Sequence, residues 1–203
     1  MSRRIALLVT GASGMALPRQ LLKILVAQEA VERVYLVVSK GASQVLRHEL
    51  GPDRTGAADL VAAAGLEGSE KIHTLRDNEL DAAISSGSFR LDGVAVVPCS
   101  AGTLGALATG SAATLIHRVG AVALKERWPL VIGFRETPLT IIHLENMRRL
   151  AYAGASLLPP VPAFYIGGGD FERFLDHYAL RVLDRFGIHD PGEAGLRWEG
   201  PTE

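Results

Sequence analysis

A doubly wound α/β fold, in which a parallel sheet is covered by helices on both faces, follows from three features of the 203-residue sequence. Short apolar runs without polar alternation recur along the chain, the pattern of strands buried on both sides. Each run stops at a turn of glycine, serine, proline or arginine, and a segment with helical spacing or composition follows most of them. Strands that alternate with helices require right-handed crossovers, and these place the helices on both faces of one sheet.

The first strand is Ile5 to Thr10, and Gly11-Ala12-Ser13-Gly14 turns the chain into a helix carrying Leu17, Leu21, Leu22 and Leu25, with Pro18 tolerable in its first turn. The second strand, Val34 to Val38, ends in Ser39-Lys40 before a helix from Ala42 to Leu50. Residues 51–85 are polar, alanine-rich and weakly periodic, and predict a helical excursion rather than a second domain. The third strand, Val94 to Val97, ends in Pro98-Cys99-Ser100, followed by small residues and then a helix from Ala113 to Leu124. A fourth, Leu130 to Phe134, ends in Arg135-Glu136 and leads to a helix around Ile141 to Ala153. A fifth, Ala155 to Leu158, stops at Pro159-Pro160. Phe174, Tyr178, Val182 and Phe186, spaced by four, make Phe171 to Phe186 an amphipathic helix. Residues 1–188 thus read as one domain of Rossmann-like or flavodoxin-like type, and 189–203 as a surface tail.

A formal net charge of −1 supplies no global field for nucleic acid or an anionic membrane, so an anionic ligand must be held by local groups. The lone Cys99 excludes an internal disulfide, is too few for a structural zinc site and points to a reducing compartment; with no targeting segment visible, the cytoplasm is expected. No metal site is expected.

In an open parallel sheet, ligands bind beyond the carboxyl ends of the strands, where the strand order reverses. The tips there carry Ser13, Ser39, Ser100 with Thr103, Arg135 with Glu136, and the Pro-rich turn leading to Tyr165. Hydroxyls beside small residues at helix starts suit a phosphate, so a phosphorylated cofactor is implied. NAD is disfavoured, because the first turn lacks the full glycine fingerprint and no acidic residue closes the second strand. Taken alone, several of these features read blandly: Cys99 as a buried small hydrophobe, Lys125-Glu126-Arg127 as a solvated helix end, His143 and Glu145 as part of a helix face.

The motifs become specific together. GASG at Gly11, VSK at Val38, SSGSF at Ser85 to Phe89, PCSAGTL at Pro98 to Leu104, ALKERWPLVIGFRETPLTIIHLENM at Ala123 to Met147 and PPVPAFY at Pro159 to Tyr165 occur in order. This set resembles the UbiX family of flavin prenyltransferases from about Arg4 to Ile188, and Arg197-Trp198 is similar to the family's tail. The resemblance implies an enzyme that joins a dimethylallyl group from dimethylallyl phosphate to reduced FMN without metal, giving prenylated FMN for a UbiD-type decarboxylase. By motif matching, Gly11, Ala12, Ser13, Ser39, Ser100, Ala101, Gly102, Thr103 and Arg135 hold FMN. Tyr165 and Arg181 grip the prenyl phosphate, Lys125 and Arg118 add positive charge, and Glu49 is lent to a neighbouring subunit's site, which implies an obligate homo-oligomer, with a dodecamer as one size. Glu136 and Ser13 handle protons as the new ring closes.

The chain departs from the family pattern in three places. Leu17 and Pro18 stand where most members carry an aromatic, Leu80 stands near a stacking Trp of some members, and Ile166 with Gly167–Gly169 replaces the usual His and Pro after the tyrosine. Two other readings compete: an FMN-dependent decarboxylase of the phosphopantothenoylcysteine type, and a non-catalytic FMN binder or carrier. The first needs a catalytic His near the flavin and a Cys-bearing flap, neither of which is clear in the sequence; the second does not need a second phosphate site.

Overall fold

The computed structural model of the chain describes residues 2–166, 170–189, 196–198 and 200. Six parallel strands form one sheet in the order β3-β2-β1-β4-β5-β6. They are β1 (Arg3–Val9), β2 (Val31–Val38), β3 (Ile72–Arg76), β4 (Gly93–Cys99), β5 (Leu130–Phe134) and β6 (Ser156–Leu157). The order reverses between β1 and β4, the switch point of a Rossmann-type sheet.

Alternate side chains of the strands feed two cores. Ile5, Leu7, Val9, Leu36 and Val97 face one side, where they pack with α1 (Ala16–Ala27), α2 (Lys40–Leu50), α3 (Ala57–Ala63) and α7 (Phe171–Arg185). Ala6, Leu8, Val96 and Ile132 face the other, against α4 (Ala101–Thr109), α5 (Leu115–Glu126) and Leu150 of α6 (Ile141–Tyr152). Tyr178, Val182 and Phe186 are buried and Phe174 packs against them, as the spacing of four predicts.

Two sequence expectations need correction. Residues 51–85 are not only helical: beyond α3 they supply β3, which pairs in register with β2 from Val34↔Ile72 to Val38↔Arg76. The small residues after the third strand form a helix of their own, α4, begun by Ser100, whose Oγ accepts from Thr103 N–H at 3.3 Å. No helix among the described residues is long and apolar enough to cross a membrane.

Candidate active site

The tips of β1, β2, β4 and β5 and the starts of α1, α2 and α4 meet at the carboxyl edge of the sheet. Thr10, only 1% exposed, ties β1 to β4: its Oγ1 donates to the Pro98 carbonyl at 2.9 Å and accepts from Ser100 N–H at 2.8 Å. Ser100 Oγ in turn donates to Thr103 Oγ1 at 3.1 Å, which fixes both hydroxyls at the start of α4. Ser39 begins α2 in the same way, accepting from Ala42 N–H at 3.2 Å. Gly11 lies so close to α2 that a side-chain carbon placed on it would sit 2.9 Å from the Gly41 carbonyl carbon. Gly14, at φ +112°, completes the turn in a conformation that L side chains rarely adopt.

At the end of β5, Arg135 N–H donates to the Cys99 carbonyl at 3.2 Å, and its Nε is buried without a hydrogen-bond partner among the described residues. A buried guanidinium donor of this kind calls for an anionic or carbonyl oxygen. Together with the hydroxyls and small residues at the helix starts, it fits a phosphorylated, carbonyl-rich cofactor such as FMN. Ala12, Ser13, Ala101 and Gly102 lie on the same edge, and a side-chain carbon on Gly102 would meet nothing within 4 Å. Glu136 is exposed, accepts only from Thr137 N–H at 3.1 Å, and makes no ion pair with Arg135 among the described residues. Cys99 is fully buried, and burial pushes its thiol pKa up, so it is a packing residue rather than a thiolate.

The residues assigned to the prenyl phosphate do not converge within one chain. Tyr165 and Arg181 lie on the face of α1 and α7. The Tyr165 hydroxyl is 3.2 Å from His177 Nε2, and Arg181 pairs with Asp184 at 3.0 Å. Arg197 also holds Asp184, at 2.7 Å, and Trp198 packs edge-on against Tyr165 at 5.7 Å between centroids. Burial works to raise the Asp184 pKa, but Arg197, Arg181 and His189 outweigh it and hold the carboxyl below its usual range. Arg118 and Lys125 lie on α5, across the sheet: Arg118 Nε donates to the Ser85 carbonyl at 3.1 Å, and Lys125 pairs with Glu126 at 2.6 Å beside Gly87. Lys125 stands in the last turn of α5, about 15 Å along the helix from Leu115 at its start. Glu49, at the end of α2, turns to its own chain and accepts from Gly14 N–H at 3.0 Å and Met15 N–H at 2.7 Å. There it stabilises the start of α1, which has no side-chain cap of its own.

Leu17 is buried in the core, whereas Leu80 is half exposed; Gly167–Gly169 lie outside the described residues. Sequence reasoning missed two residues of this region, Thr10 and His177. The available signal was a polar group at the end of an apolar strand for the first, and on the apolar stripe of a helix for the second.

The flavoprotein family profile matches residues 1–176. Flavin prenyltransferase LpdB of Lactiplantibacillus plantarum is 42% identical over 198 residues, spanning 98% of this chain and 99% of LpdB. The chain belongs to the flavin prenyltransferase family. Its fold superposes on the crystal structure of AnUbiX (PadA1) in complex with FMN and dimethylallyl pyrophosphate with a TM-score of 0.84, at 40% identity over 100% of both chains. A dodecameric FMN-dependent UbiX-like decarboxylase from Escherichia coli O157:H7 gives a TM-score of 0.84 at 38% identity, covering 97% of this chain and 100% of that one. The FMN-dependent cysteine decarboxylase TvaF, 15% identical with a TM-score of 0.60, shares the fold alone with this flavin prenyltransferase family member.

Proposed function

We propose that this chain transfers a dimethylallyl group from dimethylallyl phosphate to reduced FMN and hands the prenylated FMN to a UbiD-type decarboxylase. The observation that carries the reading is the presence of exposed cationic and phenolic groups, Arg118, Lys125, Tyr165 and Arg181, outside a cradle that already suits one phosphate. FMN binding alone has no use for a second anion site. The family relation and the AnUbiX complex, named for FMN and dimethylallyl pyrophosphate, support the same assignment.

Reduced FMN supplies the electron-rich ring that accepts the prenyl group. Gly11, Ala12, Ser13, Ser39 and Ser100 to Thr103 hold it through backbone N–H groups and hydroxyls, and Arg135 orients it with a fixed guanidinium fork. When the bond from the allylic carbon to the phosphate oxygen breaks, the electron pair leaves with the phosphate. Tyr165, Arg181, Arg118 and Lys125 stabilise that growing negative charge. The Glu136 carboxylate, which makes no ion pair with Arg135 among the described residues, and the Ser13 hydroxyl would handle the protons released as the product forms.

Because Arg118 and Lys125 lie across the sheet from Tyr165 and Arg181, a complete site takes residues from more than one copy. The exposed apolar face of α6, with Ile141, Ile142 and Leu144, suits burial between copies in a closed homo-oligomer. A cytoplasmic setting agrees with the single, buried thiol.

The test is direct. Anaerobic incubation of the protein with reduced FMN and dimethylallyl phosphate is expected to yield a flavin heavier by one isoprene unit in mass spectrometry. Unmodified FMN after full occupancy of the site would overturn the reading.

A further inference from the structure

His177 lies on the buried side of α7 and is 9% exposed, yet the fold has no evident need of an imidazole there. Along α7 the flanking residues Leu175, Tyr178, Ala179 and Leu180 are buried, the charged groups that act on the ring are Arg181, Asp184 and Arg197, and a phenyl ring of similar size would be buried with less desolvation. What distinguishes the imidazole is its polar contact. Nε2 stands 3.2 Å from the Tyr165 hydroxyl, and the two rings meet edge to face at 6.0 Å between centroids. Trp198 closes on Tyr165 as well, so the phenol is held by two rings while it remains 53% exposed. Burial lowers the His177 pKa first, Arg181 and Arg197 lower it further, and Asp184 opposes them, so the ring is neutral near pH 7.

A neutral imidazole carries one N–H, and the two tautomers have different consequences. With hydrogen on Nδ1, Nε2 accepts the phenolic hydrogen and Tyr165 has no donor left. With hydrogen on Nε2, the imidazole donates to the phenol oxygen and the phenolic hydrogen points outward. A phosphate dianion only accepts, so Tyr165 can grip it in the second arrangement alone. In that arrangement the imidazole also polarises the phenol and strengthens its donation. We propose that His177 is a positioning residue for the prenyl phosphate: its Nε2–H holds the Tyr165 oxygen and turns the phenolic hydrogen to the phosphate.

The inference rests on the placement of Tyr165 at that phosphate, and the experiment separates the two. The FMN-loaded oligomer is assayed anaerobically as wild type, His177→Phe, His177→Gln, Tyr165→Phe and the double variant His177→Phe/Tyr165→Phe. KM and kcat for dimethylallyl phosphate are measured, with FMN affinity from flavin fluorescence and thermal stability alongside. His177→Phe is expected to raise KM about threefold to tenfold, the scale of one neutral hydrogen bond, with FMN affinity unchanged and the melting temperature no lower than wild type. His177→Gln, whose amide N–H can reach the phenol, recovers part of the loss, and His177→Phe adds nothing once Tyr165→Phe is present. Wild-type KM in His177→Phe, with KM raised in Tyr165→Phe, overturns the role of His177 and leaves that of Tyr165 standing. Additive effects in the double variant also overturn it, since His177 would then act elsewhere. Wild-type KM in Tyr165→Phe overturns both.

Discussion

Glu136 shows how a single side chain can be read two ways. A carboxylate next to an arginine in sequence is ordinarily its salt-bridge partner, but adjacent residues on extended backbone point apart, and here, among the described residues, Glu136 bonds only to the next backbone N–H while Arg135 turns inward. Glu136→Gln keeps the shape and removes the base. The expected outcome in a prenylation assay is normal folding and FMN binding with turnover slowed by at least about a hundredfold, the lower range for a positioned proton-transfer group. Near-normal turnover would mean that the residue is structural. His177 carries a prediction about pH. A base whose pKa is depressed in the fold is neutral in both states above its ordinary value of 6.5, and its full stability is present there. As the pH falls below that value the unfolded chain takes up a proton that the folded one refuses, so stability is lost toward the lower, folded pKa. The melting temperature of wild type is therefore expected to fall relative to His177→Phe between about pH 7 and about pH 5. Parallel curves would show that the imidazole titrates alike in both states.

The turns between elements set the cradle more than the elements themselves do. Gly11 allows the tip of β1 to touch the first turn of α2, and Gly11→Ala would drive a methyl group into the Gly41 carbonyl, which is backbone and cannot swing aside. Overpacking of this kind costs about 1 to 3 kcal/mol, which urea unfolding would read directly, and FMN affinity is expected to fall with it because Ser39 and Ser13 separate. Unchanged stability would show that α2 slides freely. The elements legible in the sequence were those whose burial leaves a one-dimensional mark: β1 and β5 are continuous apolar runs because both their faces are covered. β3 escaped because it is an edge strand with a single neighbour, so His73 and Thr74 face solvent and the run reads as polar. α4 escaped because Gly102, Thr103 and Gly105 are poor helix formers, and its start depends on the Ser100 cap and on packing against α6. The tips of the site were legible for the same reason as the strands. The separation of Arg118 and Lys125 from Tyr165 and Arg181 was not, since spacing along the chain does not tell which side of a sheet a helix will cover.

That separation makes a test of assembly possible at the scale of the whole molecule. If each site draws Lys125 and Arg181 from different copies, two inactive variants, Lys125→Ala and Arg181→Ala, should regain activity when they are unfolded together and reassembled. Some sites in the mixed oligomers then carry both wild-type side chains. If one copy supplied both residues, every site would keep a defect and the mixture would stay inactive. The burial of Cys99 also has a practical meaning for the assembled protein. The sequence has no second cysteine, and this one lies deep in the sheet with its thiol held protonated, so the folded surface offers maleimide nothing to label. A cysteine introduced at an exposed turn residue such as Glu67 would therefore be the unique reactive handle of each copy. A dye placed there would turn the flavin's own absorbance into an optical ruler, reporting the arrival of FMN and the meeting of copies in real time.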